Sequence, residues 1–356
     1  MLLAVIVTAV LTVPPLGQRT ISTSHEARFA LLARDIVEQG AWFFTLLLGA
    51  ALFGARAGLW GALILLTSYE FFAYSQLLLP DMLVVVFVTA AAYFFWRAQG
   101  DPPGRGALAA FYGALAMGVF AKGPVGLLPL LVAAVWLWSE HGLRGLVRLW
   151  SPLGVGLFVG VTAVWLGPFL AIGGRSFAQD VLQADWLDWF VGLPGRKDLT
   201  DFSIEALLGS MPWIPVLPLA LASGIRGWRS PGTRFAFLWF VVPLVLVALS
   251  LNPRARYLLP LYPAGALLIA RWVETRGAAP TVAGRVAGWA SLAGALAAVA
   301  APAWLRPSPA YFAPAFSWTV LPLAAGAIMI GIALFWGLRA GRPALLVYGG
   351  SAAGWR

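Results

Sequence analysis

Long apolar runs recur along the whole of this 356-residue chain, with few charged residues between them. Hydrophobic side chains make up 61% of the residues and charged side chains 11%, and the mean hydropathy is +0.84. Runs of this kind are typical of helices that cross a bilayer. The composition therefore excludes a soluble globular protein and predicts an all-α polytopic membrane protein.

We predict about 12 or 13 transmembrane helices in a single domain over residues 1–356, with no separate soluble domain. The predicted spans are 2–16, 42–54, 59–79, 82–96, 107–121, 125–138, 153–172, 204–222, 235–251, 257–272, 286–301 and 318–336, and 344–355 begins one more. The first is taken as an uncleaved span because no basic segment precedes it. Span 42–54 is short, since a helix of that length reaches roughly 20 Å against a hydrocarbon core of about 30 Å. We expect a strained or partial span there.

The distribution of charge orients these spans. If the N-terminus is cytoplasmic and the spans alternate, the inner loops hold thirteen basic residues and three acidic ones, whereas the outer loops hold ten of each. This is the positive-inside bias, and it accounts for the net charge of +10 without a nucleic-acid partner. It predicts a multi-pass protein whose acidic groups face away from the cytoplasm. Only Lys122 and Lys197 of the 24 basic residues are Lys, which is typical of a GC-rich bacterial genome, so we expect the bacterial inner membrane with these groups facing the periplasm. Residues 173–203 form the longest predicted outer loop.

The densest early group of charges falls in residues 20–40, TISTSHEARFALLARDIVEQG. From Thr23 the apolar residues follow helical spacing, which predicts an amphipathic helix over 23–40 on the outer membrane surface. His25 and Glu26 project near its apolar side, toward the protein body. Two interpretations stay open: Thr23 and Glu26 form a capping box that satisfies helix-end amides, or Glu26 is a catalytic group.

Two more polar side chains lie at predicted outer ends of spans. Asp81 follows Pro80 in LLLPDML and is either an N-cap or part of a site. Lys122 precedes a Gly-Pro break in AKGPVG that frees backbone amides. It is either a phosphate ligand or an interfacial lysine whose ammonium group extends to water.

A cationic motif, NPRARY, follows the predicted span 235–251. It places Arg254 and Arg256 beside Tyr257 in an outer loop, where the positive-inside bias does not explain them. Arginine binds phosphate through two parallel hydrogen bonds, so a phosphate clamp is one interpretation. The alternative is pairing with Asp81 or with the acidic residues of the outer loop.

Glu70 lies deep within a predicted span, where an ionisable group is costly unless it has a partner. It is either protonated or hydrogen-bonded to Tyr69, Tyr74 or Ser75.

The metal-binding potential of the chain is restricted. It contains no Cys and only two His, His25 and His141, which excludes thiolate sites and His clusters. Carboxylates of Glu26 and Asp81 leave a divalent-cation site open, and no cofactor is otherwise predicted.

Four segments taken together carry a family resemblance: SHEARFALLARDIVEQGAW, LLPDMLVVVFVTAAAYFFWRA, FAKGPVGLLPLL and NPRARYLLPLYPAGALLIA. They resemble membrane glycosyltransferases of the protein mannosyltransferase and lipid A aminoarabinose transferase family, in the same order and over about residues 1–275. The resemblance implies the GT-C fold, a polyprenyl-phosphate-linked sugar donor and an active site at the outer face.

The chain also departs from that family. The usual first-loop pattern reads Asp-Glu-Ala-Arg-Tyr-Ala; here His25 stands at the Asp position, while Glu26 and Arg28 match. Either Glu26 or His25 takes the role of the base, or the acceptor is already anionic. A longer outer loop with a Glu-Lys-Pro-Pro-like stretch is missing, because the chain passes from Gly40 straight to the short span. These observations together point to an internal deletion.

On this resemblance we expect a glycosyltransferase that moves a sugar, with inversion, from a polyprenyl-phosphate donor to a lipid, glycan or protein acceptor. The implied catalytic residues are Glu26, His25 and Asp81, and the implied donor-binding residues are Arg28, Lys122, Arg254, Arg256 and Tyr257. Three alternatives stay open: an inactive truncated relative, a lipid-linked sugar flippase or transporter, and a structural membrane subunit. Sugar transfer requires residues 26, 81, 122 and 256 to converge.

Overall fold

The computed structural model describes residues 40–75, 80–100, 104–180, 209–250, 255–276 and 286. Within these residues there are α-helices and 3-10 helices and no β-strand, which confirms the predicted all-α class. The α-helices are α1 (Ala41–Phe53), α2 (Ala55–Leu66), α3 (Tyr69–Ser75), α4 (Pro80–Arg97), α5 (Arg105–Lys122), α6 (Leu128–His141), α7 (Pro152–Asp180), α8 (Leu217–Arg226), α9 (Pro231–Leu249) and α10 (Tyr262–Arg276). The 3-10 helices are Gly123–Leu127, Leu143–Leu149 and Ala255–Leu261. The predicted amphipathic helix over 23–40 lies outside the described residues.

Helical segments of membrane-spanning length are present in the described part of the chain. By length and composition three segments could cross a bilayer, namely Pro80–Arg97, Arg105–His141 and Pro231–Leu249. A fourth arises if the bent pair Leu143–Leu149 and Pro152–Pro168, which meet at 62°, forms one span. These helices confirm a multi-pass membrane protein.

The chain reverses direction inside the segment Arg105–His141. Gly123 ends α5 with a φ of 64°, in the left-handed region that favours glycine. The backbones of Gly118 and Gly126 touch, since a Cβ on Gly118 would lie 3.0 Å from the Cα of Gly126. Eight residues of unbroken helix would separate them by about 12 Å. Helices α5 and α6 therefore run in opposite directions, as the predicted spans 107–121 and 125–138 require.

Helices α1 and α2 form a tight hairpin that packs on α10. The chain turns at Gly54, whose φ is 103°. A Cβ on Gly49 would lie 2.6 Å from the Cα of Gly58 and 2.6 Å from Cδ2 of Leu267, which α10 inserts into the hairpin. Small residues allow this close approach of backbones in membranes. The short helix predicted at 42–54 is present as α1, with 13 residues.

The span predicted at 59–79 is wrong as a single helix. Helix α2 ends at Leu66, and α3 begins at Tyr69. The Tyr69 amide donates to the Met211 carbonyl at 2.9 Å, and Trp213 Nε1 donates to Thr67 Oγ1 at 2.9 Å. A distant segment therefore supplies hydrogen bonds that compete with continuation of the helix.

The spans predicted at 204–222 and 257–272 are not single regular α-helices in the residues that the structure describes. Turns occupy residues 210–216, and helix α8 begins only at Leu217. The second span opens with the 3-10 helix Ala255–Leu261, which contains Pro260, and α10 follows it. Proline removes a backbone donor and disfavours a regular α-helix at these points.

The helices present different side chains at their two ends. The site end comprises the start of α4, the end of α5 and the 3-10 helix before α10. The basic end comprises the opposite ends of the same helices with the end of α6 and the start of α9, where Arg234 pairs with Glu140 and Arg271 lies 5.3 Å from the ring of Phe53. Helix α4, with 18 residues, separates the ends by about 27 Å. This separation agrees with the predicted grouping of inner and outer loops.

Replacing Gly126 by alanine is expected to destabilise the fold, because the new Cβ would overlap the backbone at Gly118 and Val119, which no side-chain rotation relieves. Overpacking of this kind costs roughly 1–3 kcal/mol. Gly156→Ala is the matched control, since its Cβ meets nothing within 4 Å and a helical alanine is favoured by up to about 1 kcal/mol. The measurement is the melting temperature in detergent, which should fall for Gly126→Ala and not for Gly156→Ala. Equal melting temperatures in the two variants would contradict the chain reversal at Gly123.

Candidate functional site

Three distant segments meet at the site end. Lys122 Nζ donates to Asp81 Oδ1 in an ion pair. The same Nζ lies 4.6 Å from the centre of the Tyr257 ring, and Arg256 Cζ lies 5.5 Å from it. The Tyr257 ring thus contacts two cations, and cations are attracted to aromatic faces at such distances.

The charges of Asp81 and Lys122 lie at the helix ends that stabilise them. Asp81 is in the first turn of α4 and Lys122 is in the last turn of α5. A carboxylate near a helix N-terminus and a cation near a C-terminus are both stabilised by the helix dipole. Helix α4 has already begun at Pro80, so Asp81 is not its N-cap. The Asp81 side chain is 6% exposed and that of Lys122 is 23% exposed, which weakens screening of the pair by water.

Arg256 is held as a cation beside this pair. Burial lowers the pKa of its guanidinium, but the hydrogen bond to Tyr257 and the charge of Asp81 outweigh burial and raise the pKa. Its Nε is buried and has no hydrogen-bond partner among the described residues. Two cations against one carboxylate leave one net positive charge, which suits an anion.

The predicted site residues divide into two groups. Asp81, Lys122, Arg256 and Tyr257 are brought together, although they come from three predicted outer loops. The other four, His25, Glu26, Arg28 and Arg254, lie outside the described residues. The catalytic and binding roles of all eight stay predictions.

The contacts of Asp81 bear on the alternative interpretations of Lys122 and Arg256. Asp81 pairs directly with Lys122 and acts on Arg256 through its charge. Within the described residues no three His, Asp or Glu side chains lie close enough to hold a metal. The divalent-cation site of Glu26 and Asp81 stays untested, because Glu26 is outside these residues.

Sequence reasoning did not find the residue that bonds Glu70 across the fold. Tyr262 Oη donates to Glu70 Oε2 at 2.7 Å, and both residues are 6% exposed. They lie 192 residues apart. The sequence does show that Tyr262 closely follows the cationic motif, in RYLLPLYP. It contains no pattern that pairs Tyr262 with Glu70.

The sequence is similar to a family of membrane glycosyltransferases and to several curated members of it. Residues 39–167 match the family model described as dolichyl-phosphate-mannose-protein mannosyltransferase. The undecaprenyl phosphate-alpha-4-amino-4-deoxy-L-arabinose arabinosyl transferase of Pectobacterium carotovorum is 27% identical over 67% of this chain and 44% of that one. The Aeromonas salmonicida enzyme of the same name is 26% identical over 72% of this chain and 56% of that one. The chain thus spans about half the length of these curated relatives.

A solved structure decides the architecture. The crystal structure of ArnT from Cupriavidus metallidurans bound to undecaprenyl phosphate matches with a TM-score of 0.69 at 19% identity, over 88% of this chain and 64% of that one. The chain has the GT-C fold. The apo structure of the same protein matches with a TM-score of 0.64. The resemblance to the protein mannosyltransferase and aminoarabinose transferase type is therefore confirmed, and the matched residues 39–167 include Asp81 and Lys122.

A double-mutant cycle should detect the Asp81–Lys122 pair. Because the pair is largely buried, Asp81→Ala and Lys122→Ala are expected to couple by about 1–3 kcal/mol, between the values of exposed and buried pairs. The free energy of unfolding in detergent measures it. A second cycle, Lys122→Ala with Glu140→Ala, is the control, because residues at opposite ends should add within about 0.5 kcal/mol. Equal coupling in both cycles would argue against the pair.

Proposed function

We propose that the chain is a glycosyltransferase of the bacterial inner membrane, which transfers a sugar from a polyprenyl-phosphate donor to a lipid, glycan or protein acceptor. The proposal depends on one observation: Lys122, Arg256 and Tyr257 converge on Asp81 at one end of a GT-C fold. It is supported by relatives named as undecaprenyl phosphate aminoarabinose transferases and by the fold of a relative solved with undecaprenyl phosphate.

The two cations would bind the phosphate of the donor. Arg256 offers a planar fork that matches two phosphate oxygens, and its unpaired Nε is a further donor. Lys122 offers a mobile point charge. As the bond from the sugar to the phosphate breaks, negative charge grows on the leaving phosphate. Fixed cations stabilise that charge more in the transition state than in the bound donor, which lowers the barrier.

The Asp81 carboxylate has two roles in this proposal. It holds Lys122 at the site end before the donor binds, and it can orient the sugar or the acceptor afterwards. The acceptor oxygen forms a bond to the anomeric carbon on the side opposite the phosphate, so the configuration inverts. Its proton passes to a base, for which we propose Glu26 with His25 beside it. An anionic acceptor would need no base.

The remaining predicted ligands belong to the same proposal. Arg28 and Arg254 would add positive charge around the donor phosphate. No step requires a metal ion, because the cations supply the charge that the leaving phosphate needs.

Removal of the Arg256 guanidinium should abolish transfer. We expect Arg256→Ala to lower turnover at least 100-fold, in the range found for loss of one charge-stabilising donor. Arg256→Lys should retain part of the activity, because lysine keeps the charge but loses the fork. The measurement is transfer of radiolabelled sugar from polyprenyl-phosphate donors to acceptors in a membrane extract, with purified protein.

Arg234→Ala is the matched control for this experiment. Arg234 is also an arginine beside an aromatic ring, at 5.7 Å from Trp228, and it pairs with Glu140. It lies at the basic end, so its loss should leave the turnover of folded protein unchanged. Full turnover by Arg256→Ala, or equal losses in both variants, would remove Arg256 from the site.

The site end is expected to face the periplasm. The chain has no Cys, so a single introduced Cys reports the side on which it lies. Pro124, in the turn at the site end, and Thr275, near the basic end of α10, are both exposed. In intact spheroplasts a membrane-impermeant maleimide should label Pro124→Cys, and should label Thr275→Cys only after lysis. The reverse pattern would invert the proposed topology.

A further inference from the structure

Glu70 and Tyr262 form a buried polar pair within the helical bundle. A buried ionisable group is costly unless it is partnered, and in membrane proteins such groups are usually kept for function. Tyr262 Oη donates to the Glu70 carboxylate at 2.7 Å. A hydrogen bond to a carboxylate in a low-dielectric interior is among the stronger ones in a protein.

The pair joins the cationic segment of the site to a helix that packs against α4. Tyr262 is the first residue of α10, directly after the 3-10 helix Ala255–Leu261 that bears Arg256 and Tyr257. Glu70 belongs to α3, which packs against that 3-10 helix and against α4, where Asp81 lies. The bond therefore ties the cationic segment to the helices beside Asp81.

A third segment closes over the pair. Gly209 fits there because it lacks a side chain, since a Cβ at that position would overlap Glu70 Oε2 and Tyr262 Oη. The Glu70 and Tyr262 side chains are thus enclosed by this segment as well as by their own helices.

We propose that Glu70, through Tyr262, is a positioning residue for Arg256 and Tyr257. This inference rests on the proposed sugar transfer. The 3-10 helix Ala255–Leu261 has weaker internal hydrogen bonds than an α-helix and contains Pro260. Its placement against α4 therefore depends on external contacts. A shift of about 1 Å in a group that orients a substrate can cost about 100-fold in rate.

Tyr262→Phe tests this inference most directly, because it keeps the ring and removes the hydroxyl. We expect kcat to fall at least tenfold and KM for the polyprenyl-phosphate donor to rise. Glu70→Gln keeps an acceptor oxygen for Tyr262 and should stay within threefold of the wild type. Glu70→Asp keeps the charge but shortens the side chain by one methylene, and should lower kcat as Tyr262→Phe does.

Thr67→Val is the matched control for a merely structural role. It removes a buried hydrogen bond to the segment that includes Gly209, which Trp213 Nε1 donates to Thr67 Oγ1 at 2.9 Å. This hydrogen bond does not involve the 3-10 helix that carries Arg256. We expect Thr67→Val to lower the melting temperature but to leave kcat and KM of the folded protein unchanged.

Combination with Arg256→Lys separates positioning from independent action. If Tyr262 acts through Arg256, the double variant Tyr262→Phe/Arg256→Lys should lose less than the product of the two single losses. Multiplicative losses would overturn the inference, as would wild-type kcat and KM in Tyr262→Phe. If Tyr262→Phe does not fold, wild-type kinetics in Glu70→Asp would overturn it instead. If the wild-type chain transfers sugar from no donor, the proposed function itself is wrong. That result is distinct from failure of the positioning role, which is seen only by comparing variants with an active wild type.

Discussion

The ion pair between Lys122 and Asp81 joins two passes of the bundle at the place where each helix ends, and much of the site depends on it. Charges in a membrane protein are stable only where they have partners or reach water. Here the dipoles of α4 and α5 favour the carboxylate and the ammonium at their respective ends. The Tyr257 ring then lies against Lys122 and brings the segment with Arg256 to the same place. The site is therefore a consequence of how these helix ends meet.

Glycines make that meeting of helix ends possible. The contact of Gly118 with Gly126 lets the chain reverse directly after Lys122, so that the lysine stands at a turn and its side chain reaches α4. Elsewhere in the bundle, Gly49 and Gly61 admit Leu267 of α10, and Gly58 allows α2 to approach the backbone of α1 at Leu46 and Ala50. Without a hydrophobic driving force between helices in lipid, close packing of this kind supplies much of the stability. The same packing fixes α10, and through it the segment that carries Arg256.

In the part of the chain that the structure describes, sequence patterns predicted most of the helices, because apolar runs report burial in lipid or in the bundle. They also predicted that Asp81, Lys122 and Arg256 lie at one end, because charges at span ends and the positive-inside bias depend only on local order along the chain. The break between α2 and α3 was not predicted, since its cause is hydrogen bonding to Met211 and Trp213 from a distant segment. The pairing of Glu70 with Tyr262 was missed for the same reason. Tertiary hydrogen bonds leave no periodic signal in a single sequence.

The charge of the described site suits the proposed reaction at each stage. Lys122, Arg256 and Asp81 together carry one positive charge before the donor binds. A polyprenyl-phosphate sugar is a phosphodiester with a single negative charge, so its binding would neutralise the cluster. After transfer the lipid carries a phosphate monoester, whose charge near neutral pH is about −1.5 to −2. The two cations attract this larger charge more strongly than they attract the donor, whereas the Asp81 carboxylate repels it. Asp81 would therefore promote release of the lipid phosphate, whereas a site of cations alone would bind that product most tightly.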